Sequence, residues 1–178
     1  METNYSSPPR TIMEVYKMLP EGTLAELIDG QIFMSPTPNT IHQRTSRILG
    51  FKIHQFVVNE SLGEIFFAPL DVYLDTSKNA VQPDIIFVSK TNSSQPIDDE
   101  PYHGVPDLLV EILSPSNNIH DLITKKNLYE KFSVLEYWIV DPYSKEVIVY
   151  QFKNNSYQLA GKEIGRIYSP LFDHTFEF

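Results

Sequence analysis

The six residues Leu108-Leu109-Val110-Glu111-Ile112-Leu113 restrict the fold more than any other part of this chain. A strand covered on one side alternates polar and apolar side chains. Here both alternations are apolar, so the strand must be buried on both faces. The chain therefore needs a sheet with helices against it, and 178 residues are enough to build one such core. Glu111 breaks the apolar run. An ionised carboxylate at such a position has to be paired, hydrogen-bonded or bound to a cation.

The surrounding pattern is that of a mixed sheet with flanking helices, an α/β (α+β) class. Ile12, Val15, Tyr16 and Leu19 recur at helical spacing and predict a short amphipathic helix ending at Pro20-Glu21-Gly22. Asp29-Gly30 between residues 24–28 and 31–34 predicts a hairpin with a type I′ turn. After Pro36 and Pro38, Asn39 or Thr40 can cap a helix over 41–58, with Ile41, Thr45, Ile48, Leu49, Ile53 and Phe56 on its buried face. Strands are predicted at 64–75, 84–88 and 108–113, with a polar loop over 89–105. A second helix over 119–132 is followed by strands at 136–140, 147–152 and 157–160. Residues 1–9 read as a flexible N-terminus and 10–178 as a single domain.

Two further charges sit where charge is expensive. Asp84 follows Pro83 and opens the apolar strand Ile85-Ile86-Phe87-Val88. In the second helix Leu122, Lys125, Tyr129 and Phe132 follow steps of +3, +4 and +3, which places Lys125 in the buried stripe. Its neighbour Lys126 can pair with Glu130 on the solvent side. Each charge has a plain structural explanation. Glu111 could bridge to a buried cation, Asp84 could cap a strand, and Lys125 could lay its stem on the core with its ammonium in water. Together, two carboxylates on different strands and one lysine form the set that metal-assisted phosphodiester cleavage requires: oxygen ligands for Mg²⁺ and an ammonium to orient water or offset phosphate charge.

Composition removes other chemistries. There is no cysteine, which excludes disulfide scaffolds, thiolate zinc sites and cysteine nucleophiles. Nucleophile-elbow, P-loop and dinucleotide-binding signatures do not occur, so no nucleotide cofactor is expected. The N-terminus lacks a basic region followed by an apolar stretch, and nothing approaches the roughly 18 apolar residues of a membrane span, so a cytoplasmic location without membrane contact is the default expectation. The net charge of −9 opposes a general grip on nucleic acid and leaves room for a local basic surface.

The order Pro83-Asp84, Glu111-Ile112-Leu113 and Lys125 resembles the PD-(D/E)XK nuclease superfamily. More closely, the chain is similar to a family of restriction endonucleases called Uma-type. Glu26-Leu27-Ile28-Asp29-Gly30, His42, Gln82-Pro83-Asp84, the run from Pro106 to Ser116, Asp121, Lys125, Tyr129 and Glu136-Tyr137-Trp138-Ile139-Val140-Asp141-Pro142 carry that similarity. It implies a restriction-endonuclease-like fold, Mg²⁺ or Mn²⁺ held by Asp84 and Glu111, DNA as substrate and a homodimer. Glu26 and His42 are implied near the site, Glu26 as a further ligand and His42 toward water or phosphate. The superfamily lysine stands two residues after the glutamate, a position occupied here by Leu113; the resemblance implies that Lys125 replaces it from the helix.

Pro106-Asp107 is a second Pro-Asp pair. Asp107 stands four residues before Glu111, about 13 Å along a strand, too far to share one ion at ligand distances of roughly 2.0–2.6 Å. Asp121 is expected to orient Lys125 or favour the helix start. Ser114 and Ser116 read as turn residues, and Trp138 as core. The opposing functional reading is a catalytically inactive binding or regulatory module, favoured by Leu113 and the acidic charge.

Overall fold

The computed structural model describes residues 8–96, 98, 100–114 and 120–178, with 120 and 121 in backbone only. The expected loose segment 1–9 therefore falls almost wholly outside the described residues, as do Ser116 and the side chain of Asp121.

Local sequence chemistry sets the first elements. Helix α1 (Ile12–Lys17) begins with a reciprocal cap, Thr11 accepting from the Glu14 N–H while the Glu14 carboxylate accepts from the Thr11 N–H. Strands β1 (Ala25–Ile28) and β2 (Gln31–Met34) pair through Ile28 and Gln31 across a two-residue turn. Asp29 and Gly30 take φ of 47° and 80°, the double positive φ of a type I′ turn. Helix α2 (Thr40–Asn59) starts at Asn39, whose side chain accepts from the His42 N–H.

Then come β3 (Gly63–Phe67), β4 (Val72–Tyr73), β5 (Ala80–Val81), β6 (Ile85–Ser89), β7 (Tyr102–His103) and β8 (Leu108–Ile112). A π-helical turn, His120–Lys125, runs directly into α3 (Lys126–Lys131). Strands β9 (Glu136–Val140), β10 (Glu146–Lys153), β11 (Ser156–Ile164), β12 (Arg166–Ser169) and β13 (His174–Glu177) complete the chain.

The main sheet has the order β11-β10-β9-β8-β6-β3, with β8 and β9 parallel and the other neighbours antiparallel. Strand β8 is buried along its whole length, as its doubly apolar sequence requires. One face, carrying Ile85, Phe87, Leu108 and Val110, packs on Leu49, Ile53 and Val57 of α2. The other, carrying Ile86, Val88 and Leu109, packs on Leu128 and Tyr129 of α3 and on Val72 and Val81. Those two valines belong to a second sheet, β2-β1-β5-β4-β7. The segment Gln82-Pro83-Asp84 leads from β5 of the second sheet into β6 of the first.

Three expectations need correction. The buried face of α2 is His42, Thr45, Leu49, Gly50, Ile53 and Val57, so Ile41 and Phe56 are only partly covered and Ile48 is exposed. Gly50 explains the rotation: a Cβ there would stand 2.3 Å from the Phe67 ring, so β3 sits directly on the helix backbone. The strand expected over 64–75 divides into β3 and β4, with Ala68-Pro69 between them and Pro69 unable to donate to a ladder. Lys126 lies over the Tyr150 and Tyr157 rings, while Glu130 accepts from the Tyr157 N–H, so the expected Lys126–Glu130 pair does not form.

Candidate active site

The antiparallel register of β6 and β8 pairs Ile85 with Val110 and Ile86 with Leu109. Extended by one residue, it sets Asp84 across from Glu111, on the sheet face that looks toward α3. Directly opposed residues have Cβ atoms about 4.5–5.5 Å apart. The Ile112 N–H donates to Asp84 Oδ2 at 2.7 Å, which fixes that carboxylate at the end of β8. On its other side, Asp84 Oδ2 stands 3.2 Å from His42 Nε2. His42 is 7% exposed and anchored in the first turn of α2, so the buried helix face that the apolar pattern missed delivers this imidazole.

Lys125 is 4% exposed, and its ammonium lies 2.9 Å from both Glu111 Oε2 and Glu26 Oε1. It marks the junction between the π-helical turn and α3, and Tyr129 follows one turn later. The Tyr129 hydroxyl donates to Glu111 Oε1 at 2.7 Å. Burial, reinforced by Glu111 and Glu26, pushes the Tyr129 hydroxyl well above its usual pKa, which keeps it a donor. Glu26, 1% exposed, comes from the second sheet and also accepts from the Gln82 N–H at 3.0 Å. The joint between the two sheets therefore holds the buried lysine in place.

His42, Gln82, Asp84, Glu111, Ser114 and Lys125 line one open cleft, with Glu26 behind Lys125. All five candidate residues meet here. Asp107 does not: its carboxylate sits at the opposite end of β8 and accepts from the Ser89 N–H and the Asn92 amide. Trp138 is core, as expected, with its indole N–H donating to Glu136. Sequence reasoning assigned no role to Tyr129 or Gln82. Both stand in the motif segments, and Tyr129 shares the helical stripe of Lys125, which was the available signal.

The donor set suits a hard divalent cation. Glu26 and Glu111 flank the Lys125 ammonium, Asp84 lines the same cleft beside His42, and carboxylate oxygens are the ligand type of Mg²⁺ and Mn²⁺. Among the described residues no group of three or more His, Cys, Asp or Glu is arranged to enclose a metal. Asp84 and Glu111 are the two carboxylates of the cleft that could hold such an ion, with water or substrate supplying the remaining oxygens.

A family model described as "Uma2: Putative restriction endonuclease" matches residues 13–171. No curated protein matches the chain by sequence. Among solved structures, the chain is similar to one described as "a putative nuclease belonging to DUF820" from Anabaena variabilis, with a TM-score of 0.74 and 21% identity over 93% of this chain and 92% of that one. At that identity the likeness establishes the fold. Among the described residues no helix is long and apolar enough to cross a membrane.

Proposed function

Since the chain belongs to the Uma2 family, whose description is "Putative restriction endonuclease", we propose that it hydrolyses phosphodiester bonds of DNA with a divalent ion, Mg²⁺ or Mn²⁺, held by Asp84 and Glu111. One observation carries this reading: a lysine 4% exposed, clamped between two carboxylates on the same cleft as Asp84. A structural ion pair needs one carboxylate. The second carboxylate adds negative charge to the cleft, and a bound cation would offset it.

A bound ion would supply an activated water and neutralise charge on the scissile phosphate. The chain's own groups do the positioning. Asp84 is fixed by the Ile112 N–H and Glu111 by Tyr129. Lys125 presents an ammonium whose position Glu26 and Glu111 determine, so it can donate to a phosphate oxygen or to the attacking water. His42 is poised beside Asp84 to hydrogen-bond water or phosphate. The lysine is displaced from strand to helix, so Leu113 at the usual position is no obstacle to the same chemistry. We also infer a cytoplasmic enzyme. A homodimer follows if both strands of a duplex are cut, because each chain brings its own copy of the site.

The closed Glu26–Lys125–Glu111 arrangement favours one rival, an inactive module in which the lysine only locks two sheets together. Incubation of supercoiled plasmid and single-stranded circular DNA with Mg²⁺ or Mn²⁺ separates the two. The wild type should nick or cut, while Asp84→Ala and Lys125→Ala lose at least about a hundredfold in rate, the scale of removing a key stabilising group. Equal cleavage by all three proteins, or none by the wild type, would remove the hydrolase reading.

A further inference from the structure

The outward face of α2 has no role in the cleft chemistry. The helix contains Arg44, Arg47 and Lys52 and not one Asp or Glu over 20 residues, in a chain of net charge −9. All three cations are exposed, and among the described residues none of them makes an ion pair. Helical neighbours four apart place Gln43, Arg47 and Phe51 in one row and Arg44, Ile48 and Lys52 in the next. Gln43 lines the cleft, so the first row starts at its edge and the second begins one residue later. Phe51 stands among the cations and is 64% exposed, an uncovered ring on the outside of the protein.

From this juxtaposition we propose that the outward face of α2 is a strand-binding surface for DNA with unpaired bases, in which Arg44, Arg47 and Lys52 follow the phosphates and Phe51 stacks on a base. The inference rests on the nuclease reading and narrows its substrate. Cations that track a backbone beside an aromatic platform are the two components of single-strand recognition, and stacking requires a base whose face is free. The eight steps from Gln43 to Phe51 span about 12 Å at 1.5 Å per residue, which places the stacked base roughly three nucleotides from the cleft at about 3.4 Å or more each. The acidic remainder of the chain repels DNA elsewhere, which confines it to this face.

A second copy of the chain could use Ile48, Phe51 and Val58 instead, since all three are exposed. Twofold pairing through Phe51 would bring Arg47 and Lys52 of both copies within about 6 Å of the axis along the helix, with no acidic residue of α2 to compensate. Charge thus favours the polyanion.

Fluorescence anisotropy with a labelled 20-nucleotide single strand and its duplex, in Ca²⁺ over a range of salt concentrations, tests the proposal. The wild type should prefer the single strand. Arg44→Gln/Arg47→Gln/Lys52→Gln should weaken binding and reduce the slope of log affinity against log salt by about 2, from three contacts at roughly 0.7 each. Phe51→Ala should lose about tenfold on the single strand and less on the duplex. Absence of binding by the wild type, a preference for duplex, or unchanged slope and affinity in the variants overturns the proposal. So does a wild-type dimer, seen by sedimentation, that Phe51→Ala splits without altering DNA affinity. Hydrolysis of bis(p-nitrophenyl) phosphate by the wild type with Mn²⁺ is read separately. Its absence would sink the hydrolase reading and leave the α2 surface to be decided by binding alone.

Discussion

Lys125 can be removed without removing the charges it holds, which makes it the most informative single residue. Its ammonium is the shared partner of Glu26 and Glu111, and all three side chains are at most 5% exposed. Lys125→Met leaves two buried carboxylates facing each other across its place. Breaking a buried pair in this way costs about 3–5 kcal/mol, so the urea midpoint in metal-free buffer should fall accordingly. Glu26→Gln added to Lys125→Met should recover part of the loss, because one of the two stranded charges is gone. An unchanged midpoint in Lys125→Met would mean that the ion pairs do not hold the site. The position of this lysine was readable from four residues of one helical stripe. Its pairing with Glu26 was not, because nothing local in either segment says that β1 of one sheet approaches a helix packed on the other.

At the scale of elements, short-range chemistry was legible and long-range chemistry was not. Asp29-Gly30 dictated its turn, and Asn39 its helix start, because the groups that decide each lie within three residues. The face of α2 was misread because a distant ring, Phe67, rests on Gly50. Strands β12 and β13 were missed because their anchor is remote: the buried Glu136 carboxylate accepts from Ser169 Oγ and from the Leu171 N–H. Burial pushes the Glu136 carboxyl up, and these hydrogen bonds only partly counter it. The turn between β4 and β5 shows the opposite balance. Burial pushes the Asp75 carboxyl up, yet bonds from the Lys78 and Ser77 N–H groups and from Asn79 prevail and bring its pKa down from 3.8 to about 2. A folded pKa below the unfolded one means that stability from Asp75 is present above about pH 4 and is lost as pH falls toward 2. Because the group is only partly buried, the contribution is about 1 kcal/mol after screening. Asp75→Asn should therefore flatten the acid limb of a stability-versus-pH curve over that window. An acid limb identical to that of the wild type would show that the turn does not depend on the charge.

For the molecule as a whole, the site exists because two sheets meet along Gln82-Pro83-Asp84. The main sheet contributes Asp84 and Glu111, the smaller one contributes Glu26, and the two helices bring His42 and Lys125 to the same end. The motif residues were visible in the sequence. Their convergence was visible only by resemblance, since spacing along a chain does not reveal which strands become neighbours. The acidic balance that opposes nucleic-acid binding in the sequence is uneven in the fold, with a carboxylate-bearing cleft at one end of α2 and, among the described residues, cations that make no ion pair along its outer face. In the proposed reading Asp84 and Glu111 together hold a divalent ion. Titration of Mn²⁺ followed by electron paramagnetic resonance measures that directly. The wild type should remove free Mn²⁺ from solution to about one ion per chain, and Asp84→Asn and Glu111→Gln should each abolish this uptake. Mn²⁺ left free beside the wild type, or bound equally by Glu111→Gln, would contradict the account.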